Sequence, residues 1–195
     1  MSVISFLKII AAMKRSRKLI KYKDHPGLNA RMPNYSVKMG FGLHVGWSIE
    51  GAIGSFYKID ASYLSPNVNV AGRLEASTKM FGVPMLISGQ IYDCFSKETQ
   101  QHCREIDHVL FKGDNEPIRL FTADVEAANL EYDEDAKPMT KKEEKTARVK
   151  ARLARDRFKN NIMQDEVQVS GLFETDVDLI EMRKPFTKSF FDLFA

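Results

Sequence analysis

Apolar residues recur at helical intervals from the start of the chain. Ile4, Leu7, Ile10 and Ile20 share one stripe, with Lys14, Arg15, Arg17 and Lys18 on the remaining surface, so residues 2 to about 23 read as one amphipathic helix. HPGLNARMPNY follows with Pro26, Gly27 and Pro33, a loop. From Val37 the pattern alternates and is punctuated by glycine, which predicts a strand through Val45, a turn, and a second extended piece near Phe56 to Ile59. The next periodic segment runs from Ser65 to about Phe81, with Val70, Leu74 and Phe81 as its inward stripe and Gly82 as its stop. VPMLIS reads as a short buried strand, GQIYDCFS as a brief helix, and EIDHVLFKGDNEPIRLF as a hairpin closing at Gly113 to Asn115. This mixture of helices and antiparallel hairpins predicts an α+β sandwich, sheet on one side and helices on the other.

After Ala123 the pattern changes. DVEAANLEYDEDAKP is acidic and poor in large apolar residues, so 123–139 reads as a linker. Thr140 and Glu143 form a capping-box signature that opens a basic helix with a thin stripe of Ala151, Ala154, Phe158 and Ile162. A solvated or partner-packing helix is favoured there over a membrane or RNA role. The last residues, from Phe173, carry aromatics with no local core to enter and read as a docking tail, giving a third segment of 140–195.

Composition refines this picture only modestly. With 195 residues, 44% hydrophobic and 28% charged, the chain has the makeup of a globular domain plus an appendage. Its net charge of +3 makes no general case for nucleic acid, because the basic residues cluster in one late segment. Cys94 and Cys103 lack ligand-like spacing, so neither a zinc site nor a disulfide framework is indicated, and a reducing, cytoplasmic setting fits. SVISFLKIIAAM is too short to span a bilayer, contains Lys8 and has no basic stretch before it, which argues against a signal peptide.

Candidate chemistry gathers on the helix that starts at Ser65. Ser65 suits an N-cap and Pro66 a first helical residue, and Asn69 and Arg73, four apart, share one face in the first turns, where the backbone dipole favours anions. An amide and a guanidinium so placed suit a polyphosphate. Gly40, Gly42, Gly46, Gly51 and Gly54 are too many for an undisturbed sheet. They mark either hairpin geometry or places where backbone comes close to something else. Neither GxGxxG opening a helix nor a GxxxxGK[ST] loop is present.

Three blocks in order carry a family resemblance: G-L-H-V-G at Gly42 to Gly46, E-G-A-I-G at Glu50 to Gly54, and N-V-A-G-R-L-E-A-S-T from Asn69 to Thr78. Together they resemble the catalytic domain of class III adenylate/guanylate cyclases, over roughly residues 2 to 122, with S-Y-L-S-P-N-V-N most like cyclases of single-celled eukaryotes. The resemblance implies a ferredoxin-like nucleotide cyclase sandwich, incomplete at its N-terminus, in residues 1–122. It implies that Asn69 orients the ribose of a nucleoside triphosphate and Arg73 stabilises charge developing at the α-phosphate. Lys112 matches a family lysine that contacts the triphosphate. The family's purine-reading position falls at Ser62, with Asp60 two positions further off in a loop of unusual length. An aspartate or small hydroxyl there resembles adenylate cyclases and favours ATP over GTP.

His44 belongs to the family's strand motif and is read as structural, while His25, His102 and His108 have no base-like neighbours in the sequence. The resemblance further implies Mg²⁺ or Mn²⁺ held by two aspartates outside this chain, and a site formed at a homodimer or heterodimer with a cyclase domain. It leaves room for a membrane region elsewhere in a full-length protein. On this reading the isolated chain makes little or no cyclic nucleotide. The alternative is a non-catalytic subunit that binds nucleotide or dimerises and donates Asn69 and Arg73 to a partner cyclase.

Overall fold

A computed structural model describes residues 1–113, 115–130, 140–164, 168–186 and 190. In chain order the helices and strands are α1 (Ser2–Lys14), α2 (Arg17–Ile20), α3 (Pro26–Asn29), β1 (Phe41–Leu43), β2 (Ile49–Gly54), β3 (Ile59–Leu64), α4 (Pro66–Phe81), β4 (Met85–Ser88), α5 (Gly89–Tyr92), α6 (Lys97–Gln100), β5 (Arg104–Val109), β6 (Ile118–Thr122), α7 (Lys141–Met163), α8 (Leu172–Thr175) and α9 (Val177–Arg183). The architecture is α+β, as expected. The chain divides into two compact units that do not follow chain order, one from Val3–Tyr35 and Ala127–Met182, the other from Ser36–Glu126 and Arg183–Ala195.

The second unit is built on a four-stranded sheet of order β1-β4-β6-β5, in which β1 runs parallel to β4 and the other pairs are antiparallel. Every residue of β4 is buried, as a strand covered on both faces requires. Val70 and Leu74 of α4 pack with Leu86, Ile118 and Leu120, and Phe81, Val83, Ile106, Val109 and Phe111 close the margin of this cluster. At the far end of the sheet Arg104 donates two hydrogen bonds to the Asp124 carboxylate, at 2.9 and 2.8 Å. β2 and β3 form a separate two-stranded antiparallel hairpin.

In the first unit, α1 buries Val3, Ile4, Leu7 and Ala11. It ends at Lys14, and the expected single helix to residue 23 is instead α1, a break at Arg15 and Ser16, α2 and a 3-10 turn over Lys21–Asp24. The run Lys14, Arg15, Arg17, Lys18 offers no apolar face to carry a helix through the break. Arg15 instead reaches the Asp178 carboxylate at 2.8 Å, beside Lys8, which holds Asp176 and Asp178 at 2.8 and 3.0 Å. Desolvation acts to lower the Lys8 pKa, but the hydrogen bonds and charges of Asp176 and Asp178 outweigh it, and the net shift is upward.

The C-terminal segment is therefore no simple docking tail. Phe173, Leu179 and Met182 are buried, because α8 and α9 present them inward while Asp176 and Asp178 tie the turn between the two helices to α1. The expected linker at 123–139 opens with buried Ala123 and Asp124, followed by a 3-10 turn at Ala127–Asn129 and a buried Leu130, and its remainder, 131–139, lies outside the described residues. The Thr140 and Glu143 capping box forms as expected: the Thr140 hydroxyl accepts from the Glu143 N–H at 3.3 Å and the Glu143 carboxylate accepts from the Thr140 N–H at 2.7 Å. α7 buries none of its residues. No helix among the described residues is long and apolar enough to cross a membrane.

The two cysteines differ in environment. Cys94 is exposed, whereas Cys103 is buried, and burial pushes its thiol up to about 12. Iodoacetamide near neutral pH is expected to label Cys94 at least about tenfold faster than Cys103 in the folded chain, with both labelled in denaturant, as read by peptide mass mapping. Equal rates before denaturation would show that the Cys103 corner opens to solvent.

Candidate functional site

The helix that carries the candidate residues begins where local chemistry predicts. Ser65 is extended, with φ −170° and ψ 151°, and its hydroxyl accepts from the Asn67 N–H at 3.0 Å. Pro66 follows with its ring preset for helix, and Gly82 ends α4 in the left-handed conformation at φ 66°. Asn69 and Arg73 leave the same side of α4, one turn apart. Asn69 is exposed, and its N–H reaches the Ser65 carbonyl at 3.4 Å.

Arg73 is half-buried. Its Nη2 lies 4.0 Å from where a Cβ on Gly113 would stand, so the fold brings the guanidinium beside the turn that carries Lys112. Lys112 itself is exposed. A segment some forty residues away in sequence is thus brought beside Arg73, one turn along α4 from Asn69.

Asp60 and Ser62 are placed differently from expectation. Both lie in β3, a regular strand, where a loop was expected at Asp60. Asp60 pairs across the hairpin with Ile53, and its carboxylate holds Lys58 at 2.9 Å near the tip. At about 3.3 Å per residue it is roughly 16 Å along the strand from Ser65. Ser62 is nearer, about 10 Å by the same measure, and is half-buried opposite Gly51. The expected second strand near Phe56 to Ile59 is in fact the turn region and start of this hairpin, whose strands are β2 and β3.

The glycines divide between the two readings left open above. Gly54 belongs to hairpin geometry, since a Cβ there would strike the Lys58 carbonyl across the turn. Gly42 serves close approach. A Cβ on Gly42 would overlap the Ala71 carbonyl oxygen and stand 2.7 Å from the Glu75 nitrogen, so α4 lies directly on the backbone of β1. A Cβ on Gly46 would in turn meet the Asn67 side chain. β1 is only three residues long, shorter than the strand expected from Val37 to Val45.

Sequence reasoning missed Asn67 and Ser88. The His44 ring bonds the Ser88 hydroxyl at 2.8 Å and the Asn67 side-chain oxygen at 3.2 Å. Asn67 had a usable signal, being an amide two residues after the cap. Ser88 had none, because its role follows from strand pairing.

Among the described residues no group of three or more His, Cys, Asp or Glu stands where it could hold a metal ion.

No family model matches the chain. Over 115 residues it is 31% identical to an adenylate cyclase of Anabaena cylindrica, a match that covers 57% of this chain and 22% of that relative's length. Two solved structures of a bacterial light-regulated adenylyl cyclase align with 62% and 63% of this chain and 31% and 32% of theirs, at 27% and 28% identity and TM-scores of 0.44 and 0.45. The sequence similarity marks a cyclase-like domain in this chain.

Proposed function

We propose that the chain contributes to a class III nucleotide cyclase that converts ATP, in preference to GTP, to a 3′,5′-cyclic nucleotide and pyrophosphate. The observation that carries this reading is the Arg73 guanidinium beside the Lys112–Gly113 turn, one helical turn beyond Asn69 on the same side of α4. In the reaction the ribose 3′-oxygen bonds to the α-phosphorus, the bond to the oxygen bridging to the β-phosphate breaks, and pyrophosphate leaves as the 3′-hydroxyl proton is lost. Asn69 orients the ribose, Arg73 balances charge at the α-phosphate, and Lys112 holds the triphosphate. Ser62 and Asp60 face the purine. The name of the Anabaena relative supports ATP. Divalent metal, Mg²⁺ or Mn²⁺, is held by aspartates outside this chain.

The site is shared with a second cyclase domain, homologous or identical, seated on the β2–β3 hairpin. An isolated two-stranded hairpin is marginal in water, yet this one carries Phe56 at 98% and Tyr57 at 94% exposure at its tip. Ile49, Ile53 and Leu64 share one face with Ser62 and Asp60, because cross-strand partners Ile49↔Leu64, Gly51↔Ser62 and Ile53↔Asp60 point the same way. An apolar face of this kind is a protein-interaction surface, and a partner seated on it would stand beside the purine-facing residues.

The test is complementation with a cyclase domain that keeps its metal-binding aspartates but lacks its own Asn and Arg. Mixing is expected to restore cyclic nucleotide synthesis from ATP and Mn²⁺, with little from either protein alone. Robust turnover by this chain alone would show that it needs no partner to supply the metal-binding aspartates. Ile49→Glu with Leu64→Glu is expected to weaken association at least about tenfold by sedimentation, since each charge would be desolvated in the interface. Unchanged association would move the interface elsewhere.

A further inference from the structure

His44 is hydrogen-bonded through both ring nitrogens to partners on two different elements. Nδ1 meets the hydroxyl of Ser88, fully buried at the end of β4, and Nε2 meets Asn67 in the first turn of α4. The direction of these bonds is set from the far end. The Trp47 carbonyl can only accept, and it takes the Asn67 Nδ2–H at 2.9 Å and the Ser65 hydroxyl at 2.6 Å. With its nitrogen so committed, the Asn67 amide turns its oxygen to His44, which must donate from Nε2–H. In a neutral imidazole Nδ1 is then the acceptor, and Ser88 donates to it. Ser65, having given its proton to Trp47, accepts the Asn67 backbone N–H at 3.0 Å.

We propose that His44 is a positioning residue for the site described above: held as its Nε2–H tautomer between Ser88 and Asn67, it locks the first turn of α4 onto the sheet and so aims Asn69 and Arg73. Asn67 is bound at both its backbone and its side chain, and Asn69 and Arg73 follow it two and six residues later on the same rigid helix. Gly46 completes the seat, since any Cβ there would displace the Asn67 amide. Removing the ring leaves the helix free to rotate about its cap while the Val70 and Leu74 packing further along still holds it on the sheet. Misplacement of reacting groups by this route lowers kcat more than it changes KM.

The aiming rests on the proposed cyclase reading, whereas the tautomer does not, and two measurements separate them. In the full chain, the ring ¹⁵N shifts of His44 are expected to show a protonated Nε2 and a bare Nδ1; a protonated Nδ1 with a bare Nε2 overturns the proposal. Amide hydrogen exchange is expected to speed up about tenfold or more at 67–70 in His44→Ala, with little change beyond Leu74. Uniform protection in the variant overturns it too. His44→Gln keeps an N–H donor at the reach of Nε2 and is expected to retain most of that protection, which also covers the case in which His44→Ala fails to fold.

In the complemented assembly His44→Ala is expected to lower kcat about tenfold to a hundredfold with KM nearly unchanged, and His44→Gln to recover most of the loss. If Arg73→Ala abolishes turnover while His44→Ala retains full kcat, the positioning role fails and the cyclase reading stands. If Arg73→Ala has no effect, the cyclase reading fails, and the tautomer and exchange results still decide whether the lock exists.

Discussion

Arg73→Ala is expected to lower the turnover of a complemented cyclase assembly by about a hundredfold to a thousandfold, mostly in kcat, because a donor aimed at developing charge acts chiefly in the transition state. The expectation rests on where the side chain is held. Arg73 is half-buried in the second turn of α4, beside the Lys112–Gly113 turn, on a helix whose start is capped and packed. A guanidinium in that setting is oriented before substrate arrives, so little reorganisation accompanies the reaction. Arg73→Lys keeps the charge but loses the planar fork, and should recover only part of the rate. Steady-state kinetics against ATP checks both variants. If Arg73→Ala raised KM and left kcat intact, Arg73 would be a ground-state binding residue only.

The largest effect on stability is expected at Gly42. Gly42→Ala places a methyl against the Ala71 carbonyl and the Glu75 nitrogen, which are helix backbone and cannot turn aside as a side chain would. Either α4 lifts from β1 or β1 loses its register with β4, and the Val70 and Leu74 packing suffers in both cases. A loss of about 3 kcal/mol follows from overpacking of this kind, or a fall of about 6 to 12 °C in Tm for a chain of this size. Gly72 provides the opposite case on the same helix. A Cβ there meets nothing within 4 Å, so Gly72→Ala should gain about 0.5–1 kcal/mol from helix propensity alone. Thermal and denaturant unfolding of the two variants tests the contrast. A neutral Gly42→Ala would mean that the helix does not rest on the strand.

Whatever hydrogen-bonding chemistry could settle within a few residues was legible in the sequence alone. Ser65, Pro66 and Gly82 bound α4 because capping, a preset φ and a left-handed stop are local effects. Thr140 and Glu143 begin α7 for the same reason. The alternation around β5 and β6 likewise predicts their antiparallel pairing, and the Asn69 and Arg73 spacing already places both on one helical face. Four decisions belonged to tertiary structure. Gly42 and Gly54 look alike in sequence, and only the presence or absence of α4 over the strand tells close approach from turn geometry. Phe173 has no local core to enter until α8 and α9 fold back and Asp176 and Asp178 meet Lys8 and Arg15, over 160 residues away in sequence. Asp60 leaves its expected loop because the β2 register claims it for a strand. The orientation of His44 depends on Ser88 and Asn67, which β4 and α4 bring to opposite sides of one ring. In each case the deciding contact joins residues far apart along the chain, and such contacts exist only once the sheet and helices have closed around them.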